Sequence, residues 1–286
     1  MGKIRTEDAE RDLGQDDLSE YLRAKEPEKA ELAGIWRAAI GLQKVDGLTP
    51  SAYLVETARR NIEGEITIAE AGKIIGEYYK SRAVRAEAAK TRTDEADIVS
   101  QRMTEVLAEP TFSFSPASYV SIHRKLFLGI YKHAGKIRDY NITKSEWVLK
   151  KDTVRYESAD VIAATLEYEF ERERRFDYKG LSSQETISHF SRFIADVWQI
   201  HAFGEGNTRT TGIFAVKYLR TLGYAVENDI FFGQLLLFPK CTCKGKLHQH
   251  PKRDSSDAYL SRTFLCQSAA WGEQRAEEPV SSCRAA

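Results

Sequence analysis

Between residues 182 and 223 two helix-period runs meet at a polar interruption, and no other stretch of the chain restricts its fold as tightly. Ser182-Ser183-Gln184-Glu185 has capping-box spacing, and Ile187, Phe190, Ile194, Val197 and Trp198 then recur on one helical face. Ile213, Val216 and Leu219 carry a second run to Gly223, a C-terminal stop. The interruption, His201-Ala202-Phe203-Gly204-Glu205-Gly206-Asn207-Thr208-Arg209, therefore sits in a helix–turn–helix joint bent at Gly206 and Asn207. Both residue types accept the left-handed backbone that a tight anion nest requires. A base, a carboxylate able to hold a metal and a Gly-Asn-Thr-Arg turn thus fall within nine residues. Phosphate chemistry needs that set: a proton acceptor, a cation to screen charge, and N–H groups aimed at the oxygens. Each feature alone has a bland explanation, a core histidine or a helix cap. Their coincidence is what points to a site.

The nine residues resemble the signature of the Fic family, His-x-Phe-x-(Asp/Glu)-Gly-Asn-Gly-Arg-x-x-Arg. The resemblance implies a mainly α fold, a Fic-type helical bundle with a β-hairpin flap, and transfer of AMP from ATP to a hydroxyl of a target protein. It implies His201 as general base, Phe203 as the loop's anchor in the core, and Glu205 as the holder of Mg2+. Gly204, Gly206, Asn207, Thr208 and Arg209 would bind the nucleotide's phosphates. Two positions depart from the pattern. Thr208 replaces the family's glycine, and Gly212 stands where the family's second arginine clasps the γ-phosphate. A degenerate, non-catalytic binding protein is therefore an alternative, as is a phosphotransferase or AMP-removing enzyme.

Upstream, Ser115-Pro116 opens a helix whose face is Tyr119, Ile122, Leu126 and Ile130, and Ala134 to Arg138 ends it. The β-prone runs Ile142–Leu149 and Thr153–Tyr156 flank a Lys150-Lys151-Asp152 turn. They resemble the family's flap, which implies that Trp147, Val148, Thr153 and Val154 hold the target by strand addition.

Residues 1–24 are charged and expected to fray, and 25–90 read as a small helical module. Leu32, Ile35, Trp36 and Ala39 make one face, and Tyr53, Leu54, Ala58 and Ile62 a second. A third helix runs through Ile74, Ile75 and Tyr78. The module resembles the antitoxin-like unit some Fic proteins carry, packed in cis on the catalytic core. Leu42, Asp46 and Gly47 match its inhibitory motif, with the hydroxyl residue and the glutamate both changed. With Gly212 in place of the partner arginine, inhibition by the usual ion pair is not expected. Thr91 to Asp97 reads as a charged linker into a catalytic core over 91–232.

Residues 233–286 do not continue this pattern. All four cysteines (Cys241, Cys243, Cys266, Cys283) and two of the six histidines lie beyond residue 240. Cys241-x-Cys243 with His248-x-His250 offers a zinc reading. The other reading is an aberrant, frameshifted and poorly folded tail: starting at the second base of the Pro239 codon, the allowed codons yield Arg-Asn-Ala-Leu-Val-Arg and, further on, an amphipathic helix. Net charge +0 argues against nucleic acid as a partner. The Met1-Gly2-Lys3-Ile4-Arg5 start has no apolar core segment, and no run approaches transmembrane length. A cytoplasmic protein is expected.

Overall fold

The computed structural model describes residues 18–22, 26–80, 84, 90–145 and 153–224. Helix α1 (Ser19–Leu22) lies inside the stretch expected to fray, yet Leu18 is fully buried and joins the apolar cluster around Trp36. Pro27 in the first turn starts α2 (Pro27–Gly41), which tightens into a 3-10 turn, η1 (Leu42–Asp46), and stops at Gly47 with φ +69. Ser51 caps α3 (Ala52–Ile62), and a Thr67–Glu70 capping box opens α4 (Ile68–Tyr78). Leu54, Ala58, Ile62 and Ile75 face inward as their spacing predicts. Tyr53 and Tyr78 do not. They leave the core and stack on each other at the surface, ring centroids 4.0 Å apart.

The stretch expected to be a linker, Thr91 to Asp97, instead leads into a packed helix. Thr93–Ala108 forms α5, which packs against α2, η1, α4 and the two later helices Pro116–Phe127 and Asn207–Thr221, and sets Val99, Met103, Val106 and Leu107 in the core. Glu95 and Asp97, read from sequence as solvated charge, are buried. Apart from Arg92, three residues before Glu95, their partners lie far away in the chain.

Ser115 caps α6 (Pro116–Phe127), as its Ser-Pro start predicts. Strands β1 (Thr143–Ser145) and β2 (Thr153–Arg155) then pair antiparallel, with Thr143 opposite Arg155 and Lys144 opposite Val154. Ile142 and Tyr156, read as part of the two runs, lie outside these strands, and Trp147, Val148 and the intervening turn lie outside the described residues. Helices α7 (Ile162–Arg174), α8 (Ser183–Ile200) and α9 (Asn207–Thr221) complete the bundle. Phe114, Phe170, Phe193, Phe214 and Tyr218 interlock at its middle with centroid separations of 4.4 to 6.3 Å. Buried Lys217 of α9 donates to the carbonyls of Val106 and Glu109, and Arg220 to that of Leu107, so two cations finish the C-terminal end of α5. No helix among the described residues is long and apolar enough to cross a membrane. The cysteine-bearing tail, with both its zinc and frameshift readings, lies outside the described residues.

Asp97 joins α3, α4 and α5 through one carboxylate. It accepts from the Ser51 N–H at 2.8 Å, the Ser51 hydroxyl at 2.5 Å and the Tyr79 hydroxyl at 2.6 Å. Burial pushes its pKa up, and these bonds only partly oppose the shift. A carboxyl with a raised folded pKa contributes stability that is present below its unfolded value and is lost as pH rises through the folded value. Asp97→Ala should cost about 1–3 kcal/mol for each donor left without an acceptor, read from urea unfolding. Asp97→Asn keeps the Ser51 N–H acceptor and removes the titration. The stability of wild type relative to Asp97→Asn should be greatest in acid and shrink towards neutral pH, and an invariant difference would contradict this account.

Candidate active site

Helix α8 ends on His201, whose left-handed backbone (φ 52, ψ 56) is uncommon for a residue with a Cβ. The His201 N–H still reaches the Trp198 carbonyl at 3.1 Å, closing the helix. Its imidazole is half-buried and lies parallel to the Tyr156 ring, centroids 3.8 Å apart, with the Trp198 indole edge-on at 5.7 Å. Buried Arg138 fixes the backbone here. It donates to the carbonyls of His201 (2.8 Å), Ile200 (3.3 Å), Tyr140 (2.6 Å) and Glu157 (2.5 Å). One planar guanidinium thus ties the end of α8 to the segments on both sides of the hairpin.

The loop after His201 is braced from within. Asn207 accepts from the Phe203 N–H at 2.9 Å and donates to the Phe203 carbonyl at 2.7 Å, so its amide closes the turn as a second backbone would. Phe203 is fully buried, as its expected anchoring role requires. Gly206 has φ +75, and a Cβ there would come within 2.5 Å of the Phe127 ring, so conformation and space both demand glycine. At Gly204 a Cβ would stand 2.4 Å from the Tyr140 hydroxyl. The first α9 ladder bond runs from the Thr210 N–H to the Gly206 carbonyl at 3.0 Å, which leaves the amides of residues 207–209 ahead of the ladder. The Thr208 hydroxyl accepts from the Trp198 indole at 2.9 Å and is turned towards α8.

Glu205 is the loop's exposed carboxylate, 45% accessible, with an Arg92 nitrogen 3.9 Å away. A single accessible carboxylate with room for water and phosphate oxygens suits magnesium, which is commonly held by one or two carboxylates plus substrate phosphates. No group of three or more metal-ligating side chains exists among the described residues. Magnesium at Glu205 would therefore depend on oxygens brought by a nucleotide.

Arg209 occupies a different environment from the one its expected role suggests. Its guanidinium is fully buried and meets Asp46 at 2.5 Å, an ionic contact without hydrogen-bond alignment. It also donates to Glu95 (2.9 Å), the Tyr131 hydroxyl (2.8 Å) and Gln43 (3.1 Å), and it lies 4.7 Å from the Phe127 centroid. Burial alone would lower its pKa, but Asp46, Tyr131 and Glu95 outweigh burial and raise it. The Asp46 read as the counterpart of an inhibitory glutamate thus pairs with Arg209, while Gly212 is buried within α9. Leu42 is in the core and Gly47 ends the 3-10 turn.

The structure brings His201, Phe203, Glu205, Asn207, Thr208 and Arg209 together on one joint, but only His201 and Glu205 present accessible chemistry. Sequence reading missed Arg92, Glu95, His123, Tyr131, Arg138 and Tyr156. One of these left a trace. His123 stands four residues after Tyr119 and four before Phe127, both fully buried, and a polar residue on an apolar face signals a hydrogen-bonded role.

Residues 113–219 match the Fic/DOC family. Over 108 residues the chain is 29% identical to "Protein adenylyltransferase VbhT" of Bartonella schoenbuchensis, covering 38% of this chain and 21% of that protein. Over 130 residues it is 29% identical to "Probable protein adenylyltransferase y4lH" of Sinorhizobium fredii, covering 45% of this chain and 63% of that one. The chain thus spans less than two thirds of either relative's length. No solved structure matches it.

His123 supports the loop from beneath. Its ring lies on Phe203 with centroids 3.7 Å apart, the Gly135 N–H donates to Nδ1 at 2.8 Å, and Nε2 lies 3.1 Å from the Glu205 carbonyl. With Nδ1 accepting, the proton belongs on Nε2, where it can donate to Glu205. Burial lowers the pKa to about 4, so the ring is neutral at physiological pH. A folded value below the unfolded one contributes stability above the unfolded pKa, lost as pH falls towards the folded one. Imidazole nitrogen NMR should find the Nε2–H tautomer of His123 from pH 8 to about 5. Protonation near pH 6.5 would refute the assignment.

Proposed function

We propose that this protein transfers AMP from ATP to a hydroxyl of a target protein, in the manner of Fic enzymes. The carrying observation is the joint itself: an imidazole held on a left-handed helix cap, with an exposed carboxylate four positions later. His201 would take the proton of the target hydroxyl as its oxygen attacks the α-phosphorus. The bond from the α-phosphorus to the bridging oxygen then breaks, and pyrophosphate leaves with its electron pair. Glu205 would hold magnesium, which supplies charge screening for the phosphates when bound. The backbone amides at the start of α9, aimed by the Asn207 clamp, would steady phosphate oxygens. Arg138 keeps the base in place by holding its carbonyl. The strand Thr143–Ser145 offers an edge on which an extended target segment could align. The names of the two relatives agree with this activity. Through η1 the N-terminal helices would act in cis, because Asp46 and Gln43 already occupy Arg209.

The same occupancy favours a second reading. An Arg209 engaged by two carboxylates is not available to a phosphate, which suits a non-catalytic family relative that binds a partner or a nucleotide weakly.

Incubation with ATP labelled at the α-phosphate should label a target protein or the chain itself. His201→Ala should lower that labelling by roughly 100-fold or more. Label that persists in the variant defeats the mechanism, and label arriving from the γ-phosphate instead indicates phosphate transfer. Calorimetry that detects no ATP–magnesium binding to the folded protein selects the non-catalytic reading.

A further inference from the structure

Carboxylates and guanidinia alternate across the candidate site: Asp46, Arg209, Glu95, Arg92, Glu205. The two guanidinia are not equivalent. Arg209 has no accessible surface and is flanked by two acids, whereas the Arg92 side chain is 45% exposed. Arg92 uses Nε and Nη2 to grip Glu95, both at 3.0 Å, and Nη2 also reaches the Tyr131 hydroxyl at 3.2 Å. The nitrogen nearest Glu205 is this same Nη2, 3.9 Å from a carboxylate oxygen.

The backbone of Arg92 is unusual as well. It caps α5 with φ 55 and ψ 28, left-handed and uncommon for a side chain with a Cβ. The fork on Glu95 holds the guanidinium 3.9 Å from Glu205. An oxygen bound to magnesium beside a carboxylate oxygen lies about 3–4 Å from it, since each bond is about 2.0–2.1 Å. A phosphate brought to Glu205 would therefore arrive where Arg92 already points its charge. We infer that Arg92, contributed from outside the joint, is the residue that binds the polyphosphate of the nucleotide, the task sequence reading assigned to Arg209. This inference rests on the nucleotide reading of the site.

The test is equilibrium binding of ATP–magnesium to the full chain by calorimetry, over a range of salt concentrations, for wild type, Arg92→Gln and Arg92→Lys. Loss of a charge-assisted contact should weaken Arg92→Gln by roughly 10- to 100-fold and flatten its salt dependence. Arg92→Lys keeps the charge and should retain the wild-type salt dependence with a smaller loss of affinity. Binding by Arg92→Gln within about twofold of wild type, with unchanged salt dependence, overturns the inference and leaves the nucleotide reading standing. Equal losses in both variants with unchanged salt dependence would trace the effect to the grip on Glu95 and also overturn it. A folded wild type that binds no ATP–magnesium overturns this inference together with the AMP-transfer reading on which it rests.

Discussion

A guanidinium with no access to water must be neutralised where it lies, and much of this fold is arranged around Arg209. Asp46 comes from the 3-10 turn after α2, Glu95 from α5 and Tyr131 from the segment after α6, while Phe127 offers its ring. Elements spread from residue 46 to residue 209 thus converge on one cation in the first turn of α9. Because that turn is also the second arm of the candidate loop, the N-terminal helices and the loop cannot shift independently without stranding a buried charge. The cost of doing so is large compared with an exposed ion pair, since removing one partner of a buried pair leaves the other uncompensated.

Around this cation the loop is fixed mainly through its backbone. Arg138 holds the carbonyls of Ile200 and His201, His123 that of Glu205, and Asn207 both polar groups of Phe203. The two side chains with accessible chemistry, His201 and Glu205, are thereby presented by a frame that does not use them. This division of labour suits positioning-dominated phosphoryl chemistry, where small displacements are costly.

The sequence made the joint legible because its signals are local. The Ser182–Glu185 capping box and the Ser115-Pro116 start each specify backbone within a few residues and appear as read, whereas the left-handed positions of the joint are His201 and Gly206, with Asn207 already helical. The interior of the charge network was not legible. Glu95 and Asp97 sit in a stretch that reads as a solvated linker, and what buries them is Arg209, Ser51 and Tyr79, supplied from distant parts of the chain. Burial of a charge depends on its partner, and a single sequence does not state pairing at long range. Tyr53 and Tyr78 failed for the complementary reason. Helical spacing placed them inward, but the two rings found each other at the surface instead.

The hydroxyl at position 208 has a consequence of its own. Thr208 departs from the glycine of the family pattern, yet its oxygen is the acceptor for the Trp198 indole, and the indole is almost wholly enclosed. Trp198 and Thr208 act as a latch between the two arms of the joint. Restoring glycine would open space near the loop but leave an enclosed N–H with nothing to bond, so a return to the family pattern at this one position would loosen the hinge it was meant to repair.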